Sequence, residues 1–278
     1  TCALPISSLI VLFFRALKMM RIIVLALAMV GATAFVQPSA RPVARTQLSE
    51  TKADLEALAK KLNPVVPFFD PLGLADQTFW ATSPWEALGS TNEATIGFLR
   101  HAEIKHGRVA MAAFVGYCVQ ANGLRFPWPM TLDGSPFPEA GLSPEAQWDA
   151  IPFGAKWQII SLVAFLELWS ESAGDAHYMK GGKPGAFPAL VNNKNMEIPH
   201  PVPLNLYDPF GFSAKKTDEQ KAEGLIKEVN NGRLAMIGIF GFVAASKVEG
   251  SVPFLTGVIK HYDGDVMQPF EGNIHLFS

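Results

Sequence analysis

The chain has 278 residues, 49% of them hydrophobic and only 17% charged, with a positive mean hydropathy and a formal net charge of −2. A soluble domain usually carries about 25% charged residues, so the shortfall points to a membrane protein, with a large apolar core as the alternative. The near-neutral balance excludes an electrostatic footprint for nucleic acid, and two cysteines, Cys2 and Cys118, make neither a metal-ligand spacing nor a disulfide framework.

The N-terminal stretch reads as an address. No Asp or Glu precedes Glu50. Met19, Met20 and Arg21 lead into the apolar run Ile22–Val30, followed by the small-x-small pattern Ala32-Thr33-Ala34 and then Phe35. A charged start, a short apolar run and a small-residue cleavage site are the layout of a secretory signal peptide. The run falls short of the ~20 residues that a spanning helix needs. Residues 35–47 are basic, contain Pro and Ser and lack acid, in the manner of a transit peptide. Residues 1–18 read as translated upstream sequence ahead of a start Met, and 1–47 are excluded from the fold. The competing reading keeps 6–36 as a membrane anchor interrupted by Arg15, Lys18 and Arg21. The folded domain is placed at 48–278.

Within it, the first signal is a turn. Phe69 to Leu74 (FDPLGL) is echoed at Tyr207 to Phe212 (YDPFGF), and Asp-Pro-x-Gly is turn chemistry. The spacing predicts a helix from about Asn92 to Ala121, a second from about Pro152 to Ala173, and a third from about Thr217 to Val248. At 1.5 Å per residue the first would be ~45 Å long, longer than a ~30 Å hydrocarbon core, so it should tilt or project. Pro- and Gly-rich connections separate the three. A short amphipathic surface helix is expected within Pro253–Tyr262. The expected fold is all-α and membrane-embedded, with three transmembrane helices.

An internal repeat orders two of them. Glu103 to Tyr117 (EIKHGRVAMAAFVGY) aligns without gaps on Glu228 to Phe242 (EVNNGRLAMIGIFGF) at an offset of 125, with six of fifteen positions identical. One spanning helix lies between the copies, so both should cross in the same direction and pair about an axis along the membrane normal. Such a pseudo-two-fold pair is isologous: what i offers j, j returns to i.

Each copy puts charge where charge is costly, at least ~2.5 kcal/mol at mid-bilayer. Glu103 and Arg108 are five apart, about 140° around one helix, and face each other poorly. The two-fold solves this by exchange, pairing Glu103 with Arg233 and Glu228 with Arg108. Gly107 and Gly232 would let the backbones approach at the crossing. His106 follows Glu103 by three residues and Asn231 follows Glu228 by three, so each helix presents two O or N donors on one face. A magnesium ion held by a tetrapyrrole takes such hard axial donors.

Glu-x-x-His-Gly-Arg-x-Ala-Met and Glu-x-x-Asn-Gly-Arg-Leu-Ala-Met, with a helix between them, resemble the light-harvesting chlorophyll-binding protein superfamily over roughly residues 65–265. The signal-plus-transit layout with Phe at the junction resembles the import signal of complex plastids, which suggests the chlorophyll a/c branch, similar to fucoxanthin- or peridinin-type antennae of red-lineage plastids. The resemblance implies magnesium ligation by Glu103, His106, Glu228 and Asn231, and interhelix ion pairs through Arg108 and Arg233. It implies chlorophyll a, chlorophyll c and xanthophylls of fucoxanthin, peridinin or diadinoxanthin type, with the Asp70 and Asp208 turns near carotenoid ends. It further implies a plastid thylakoid location among lipids, beside a photosystem I or II core and other antenna subunits.

Glu167 resembles the family's middle-helix ligand, against a solvated or hydrogen-bonded carboxylate. Gln158 lies nearly opposite it, and Glu171 reads as a membrane-edge carboxylate. His261 resembles a late histidine ligand, against an ordinary exposed histidine. Many relatives carry Gln where this chain has Ala245, so that pigment site is empty or held by water or a neighbour. His101, His177, His200 and His275 read as structural or exposed, the Met and Phe residues of the helices as packing, and Lys105 as snorkelling to the surface. Trp80, Trp85, Trp128 and Trp148 fit an interface belt or loop packing. Light harvesting is the leading function, with photoprotective dissipation on the same scaffold as the alternative. A di-iron or metalloprotease enzyme would need clustered histidines such as H-E-x-x-H, which this sequence lacks.

Overall fold

The computed structural model describes residues 50–66, 68–79, 91–191, 193, 195 and 205–270. The targeting reading of 1–47, and the readings of Trp80, Trp85, His200 and His275, lie outside these residues. Among the described residues there is no strand.

Helix α1 (Lys52–Leu62) opens with a capping box, Thr51 and Asp54 each satisfying the other's backbone N–H. Helix α2 (Asn92–Ala121) starts where the Thr91 hydroxyl accepts from the Ala94 amide. Helix α3 (Pro144–Asp149) is a short piece capped by Ser143 with Pro at its first position. Helix α4 (Phe153–Ser172) follows Pro152 directly. Helix α5 (Asp218–Lys247) carries a second capping box, Thr217 with Gln220. The long helices thus run over Asn92–Ala121, Phe153–Ser172 and Asp218–Lys247, beside expectations of about 92–121, 152–173 and 217–248. Helices α1 and α3 were not anticipated.

Helix α1 is placed by burial. Leu62 packs with Ile104 of α2 and Val229 of α5, and Asn230 Nδ2 donates to the Leu62 carbonyl at 3.1 Å. A second apolar cluster, Trp169, Ala173 and Leu190, ties the end of α4 to the chain beyond it.

The two Asp-Pro-x-Gly turns are built alike. Asp70 accepts from the Leu74 and Ala75 amides, both at 2.9 Å. Asp208 accepts from Phe212 and Ser213, both at 2.6 Å. Gly73 (φ 61°) and Gly211 (φ 70°) occupy the left-handed region that each turn requires. These donated amides, Ala75 first and then Leu74, hold the Asp70 carboxyl below its usual range. A folded-state pKa below the unfolded value means that the turn's stabilisation is complete above the ordinary aspartate pKa of about 3.9 and is lost as pH falls through the folded value. Hydrogen-exchange protection of the Leu74 and Ala75 amides is therefore expected to fall on acidification below about pH 4, and Asp70→Asn should abolish that pH dependence. Protection indifferent to pH in the wild-type chain would contradict this reading.

One expectation is corrected. Pro253–Tyr262 is not a surface helix: only Pro253–Leu255 forms a single 3₁₀ turn. Gly257 then takes φ 76°, and the segment is pulled back onto the bundle, the Tyr262 amide donating to the Ser246 carbonyl at 2.9 Å and the Tyr262 hydroxyl to Asp149 at 2.6 Å. Among the described residues, moreover, no helix is long and apolar enough by itself to cross a membrane. The physical reason is that α2 and α5 carry the charged clasp within their length, and α5 opens on the polar stretch Asp218–Lys227.

Candidate functional site

Helices α2 and α5 pack in a constant register. Ile104 meets Val229, and a Cβ built on Gly107 would lie 3.0 Å from the Gly232 Cα, while one on Gly232 would lie 2.9 Å from the Gly107 Cα. Both contacts join residue i to residue i+125, so the helices run the same way and the local axis passes between the two glycines. Further along, the Phe114 ring lies against Gly238 and stacks on Phe242 at 4.9 Å, with Tyr117 beside it at 5.0 Å.

The charges flank this contact. Glu228 Oε1 accepts from Arg108 Nε at 2.5 Å. Glu103 Oε1 accepts from Arg233 Nε and Nη2, both at 2.7 Å. Arg108 also donates to the Gly185 carbonyl at 2.6 Å, joining the loop after α4 to the clasp. The side chains are partly buried, Glu103 and Glu228 by about three quarters and seven tenths, so their mutual attraction is screened less than on an open surface.

Sequence reasoning missed the neighbour that completes one clasp. Arg100, nearly buried, donates through Nη1 to Glu103 Oε2 and through Nε to Glu50 at 3.1 Å. The i,i+3 spacing of Arg100 and Glu103 was available as a signal. It was overlooked because the repeat has no counterpart: position 225, 125 residues on, is Leu225.

The donors one turn on are free to bind outward. His106 is exposed, and its Nδ1 lies 2.7 Å from the Ala102 carbonyl oxygen. A carbonyl only accepts, so Nδ1 carries the proton and Nε2 keeps its lone pair for a metal. Asn231 is likewise exposed, and among the described residues no hydrogen bond engages its amide. Beside these donors, Val109 and Leu234 expose apolar side chains, and Ile237 and Phe240 continue the stripe along α5. Phe240 thus faces outward. Ala245 offers only a methyl group.

Glu167 and Lys105 form an ion pair between α4 and α2, and Lys105 also donates to Ser170 at 3.1 Å with Glu171 at 3.6 Å. Lys105 therefore joins helices and does not snorkel, because three oxygen acceptors lie within its reach. Glu171 accepts from the Tyr178 hydroxyl at 3.0 Å and pairs with His177 Nε2 at 2.8 Å, fastening the end of α4 to the following turn. His101 is buried, stacks on Tyr178 at 3.9 Å and accepts the Gly185 amide at 3.1 Å, a structural role. His261, more than half exposed, directs Nε2 to Asp263 at 2.8 Å and so has that nitrogen engaged. Trp148, on α3, donates through Nε1 to the Pro269 carbonyl, and Trp128 stacks on Phe126 in the connection after α2.

Two parallel helices clasped by reciprocal carboxylate–arginine pairs around a glycine contact, each offering outward O and N donors among exposed apolar side chains, define a helical scaffold for cofactors that need one axial ligand. Among the described residues no three His, Cys, Asp or Glu side chains converge as a metal cage, and an axial site requires only one. The chain belongs to the chlorophyll A-B binding protein family, which matches residues 51–247. It is similar to a fucoxanthin-chlorophyll a-c binding protein of Trieres chinensis, 29% identical over 69% of this chain and 79% of the relative. It is equally similar to the protein C of that description from Phaeodactylum tricornutum, 29% identical over 81% of this chain and 94% of the relative. The protein F of that description from Macrocystis pyrifera is 28% identical over 68% of this chain and 73% of the relative.

Proposed function

We propose that this protein is a light-harvesting antenna of the chlorophyll a/c type, holding chlorophylls and fucoxanthin-type carotenoids in the thylakoid membrane of a red-lineage plastid. The single observation that carries the reading is the reciprocal clasp: two glutamates neutralised by arginines of the opposite helix, with His106 and Asn231 one turn on. When bound, chlorophyll supplies light absorption and excitation transfer. This chain's residues supply position. Glu103, His106, Glu228 and Asn231 are the axial donors, Arg108 and Arg233 cancel the carboxylate charge, and the glycine contact sets the separation of the two helices. Glu167 would hold a further ring with the oxygen that Lys105 does not take, and His261 would do so through Nδ1. The Asp70 and Asp208 turns would lie near carotenoid ends.

Helices α2, α4 and α5 are taken to cross the membrane. Low mean hydropathy does not oppose this, because the clasp charges of α2 and α5 are consumed in pairs, and paired charges facing a bundle interior are the form in which ionisable groups occur in membranes. Residues 1–47 are taken as the two-part plastid signal. The proposed partners are a photosystem core, other antenna subunits and thylakoid lipids. The family is one of pigment-binding light harvesters, and no enzymatic role is proposed.

Purification of the native protein followed by pigment extraction and chromatography should return chlorophyll a, chlorophyll c and a xanthophyll. A colourless protein would overturn the assignment. His106→Leu, reconstituted with the same pigment mixture, should lose the chlorophyll bound to that nitrogen while His106→Gln, which keeps a donor, retains part of it. Equal pigment in His106→Leu and wild type would remove His106 from the ligand set.

A further inference from the structure

The repeat predicts two equivalent glutamate sites, and the side chains break that equivalence. Glu228 has one oxygen on Arg108, and among the described residues nothing is bonded to the other. Glu103 has Oε1 on Arg233 and Oε2 on Arg100. Arg100 is nearly buried and is held from behind by Glu50, which lies just before α1. The pseudo-symmetric position is Leu225, so the second clasp has no such arm.

We propose that Arg100 is a positioning residue that makes the two glutamate pigment sites unequal, weakening Glu103 as an axial magnesium donor and leaving Glu228 as the stronger one. The inference rests on the antenna reading above. A carboxylate offers lone pairs on both oxygens, and each arginine N–H that occupies one withdraws electron density from the whole group. At Glu228 a free oxygen meets the metal. At Glu103 the metal must share an oxygen with an arginine, between two cationic neighbours. Glu50 offsets the charge of Arg100 only in part, because it reaches Nε on the far side of the guanidinium and is itself about one third exposed to solvent. The N-terminal segment therefore acts on the first site through Arg100, a link that the second site lacks.

The test is reconstitution of the full chain with limiting chlorophyll, with the bands of the two sites assigned from Glu103→Gln and Glu228→Gln difference spectra. In wild type the Glu228 site should fill first, with an affinity about tenfold higher, which corresponds to about 1.4 kcal/mol. Arg100→Leu, which copies Leu225, should bring the two filling curves together, and Glu50→Gln, an isosteric change that leaves Arg100 in place, should move them further apart. Circular dichroism of each variant reports the helices independently of pigment. Equal filling in wild type, or a Glu103 site that weakens in Arg100→Leu with helicity intact, would overturn the proposal. Glu50→Gln decides the matter should Arg100→Leu not fold: an unchanged separation of the curves counts against it. Absence of chlorophyll from both sites would instead sink the antenna reading itself.

Discussion

Glu228→Ala is expected to lose the chlorophyll at that site and to destabilise the chain by about 2 kcal/mol, between the values for an exposed and a buried ion pair, because both side chains are partly buried. The change does two things at once. It removes the free carboxylate oxygen that would meet magnesium, and it leaves Arg108 with only the Gly185 carbonyl. A surface pair would cost no more than about 1 kcal/mol, because water replaces the lost partner. Here the surroundings decide: the exposed part of this site is flanked by apolar side chains such as Leu234 and Val109, which in the proposed setting face pigment and lipid, so water does not compensate. Glu228→Gln separates the two effects, since its amide oxygen still accepts from Arg108 and remains a weaker metal donor. The alanine variant should therefore lower the thermal midpoint well below that of the glutamine variant, read by loss of chlorophyll circular dichroism on heating. A stable alanine variant with an unchanged pigment complement would defeat both parts of the argument.

The second large effect is steric. A methyl group added at Gly232 would sit 2.9 Å from the Cα of Gly107, and one added at Gly107 would sit 3.0 Å from the Cα of Gly232. The obstacle in each case is backbone, which cannot rotate out of the way, so the helices must separate along their whole contact. Overpacking of this kind costs about 1–3 kcal/mol for a small insertion. Gly232→Ala should fall in that range, and Gly232→Leu should prevent the clasp from closing, because separated helices pull Glu228 from Arg108 and Glu103 from Arg233. The double change Gly107→Ala with Gly232→Ala should cost more than either alone but less than their sum, since one displacement relieves both clashes. Sedimentation and pigment retention of the reconstituted variants would show it. Normal pigment binding by Gly232→Leu would mean that the close contact is dispensable.

Gly241 makes a useful comparison. It lies on the same helix, and a Cβ there would meet nothing within 4 Å. Gly241→Ala is therefore expected to behave as wild type, so that a defect at Gly232 reflects the contact and not a general intolerance of substitution in α5.

Much of this protein is legible in one dimension because its central device repeats. The 125-residue offset, the identical Glu, Gly and Arg in both copies, and the energetic need to neutralise a carboxylate away from water were enough to derive which arginine each glutamate meets. The starts of the two repeat helices were also local facts, written in Thr91 and Thr217. What repetition could not reveal lay where the two halves differ. Arg100 and Glu50 stand fifty residues apart, and only folding brings Glu50 to the arginine that meets Glu103. Lys105 looked like a snorkelling side chain until α4 placed Glu167, Ser170 and Glu171 against it. Pro253–Tyr262 was read as a short surface helix, yet Tyr262 found Asp149 and Ser246, and those long-range bonds outweighed a short helix that had no cap to hold it and carried Gly257 within it. Local pattern determines elements and symmetric pairings, whereas the partner of a long flexible charged side chain depends on which of several acceptors the tertiary packing brings within a few ångströms.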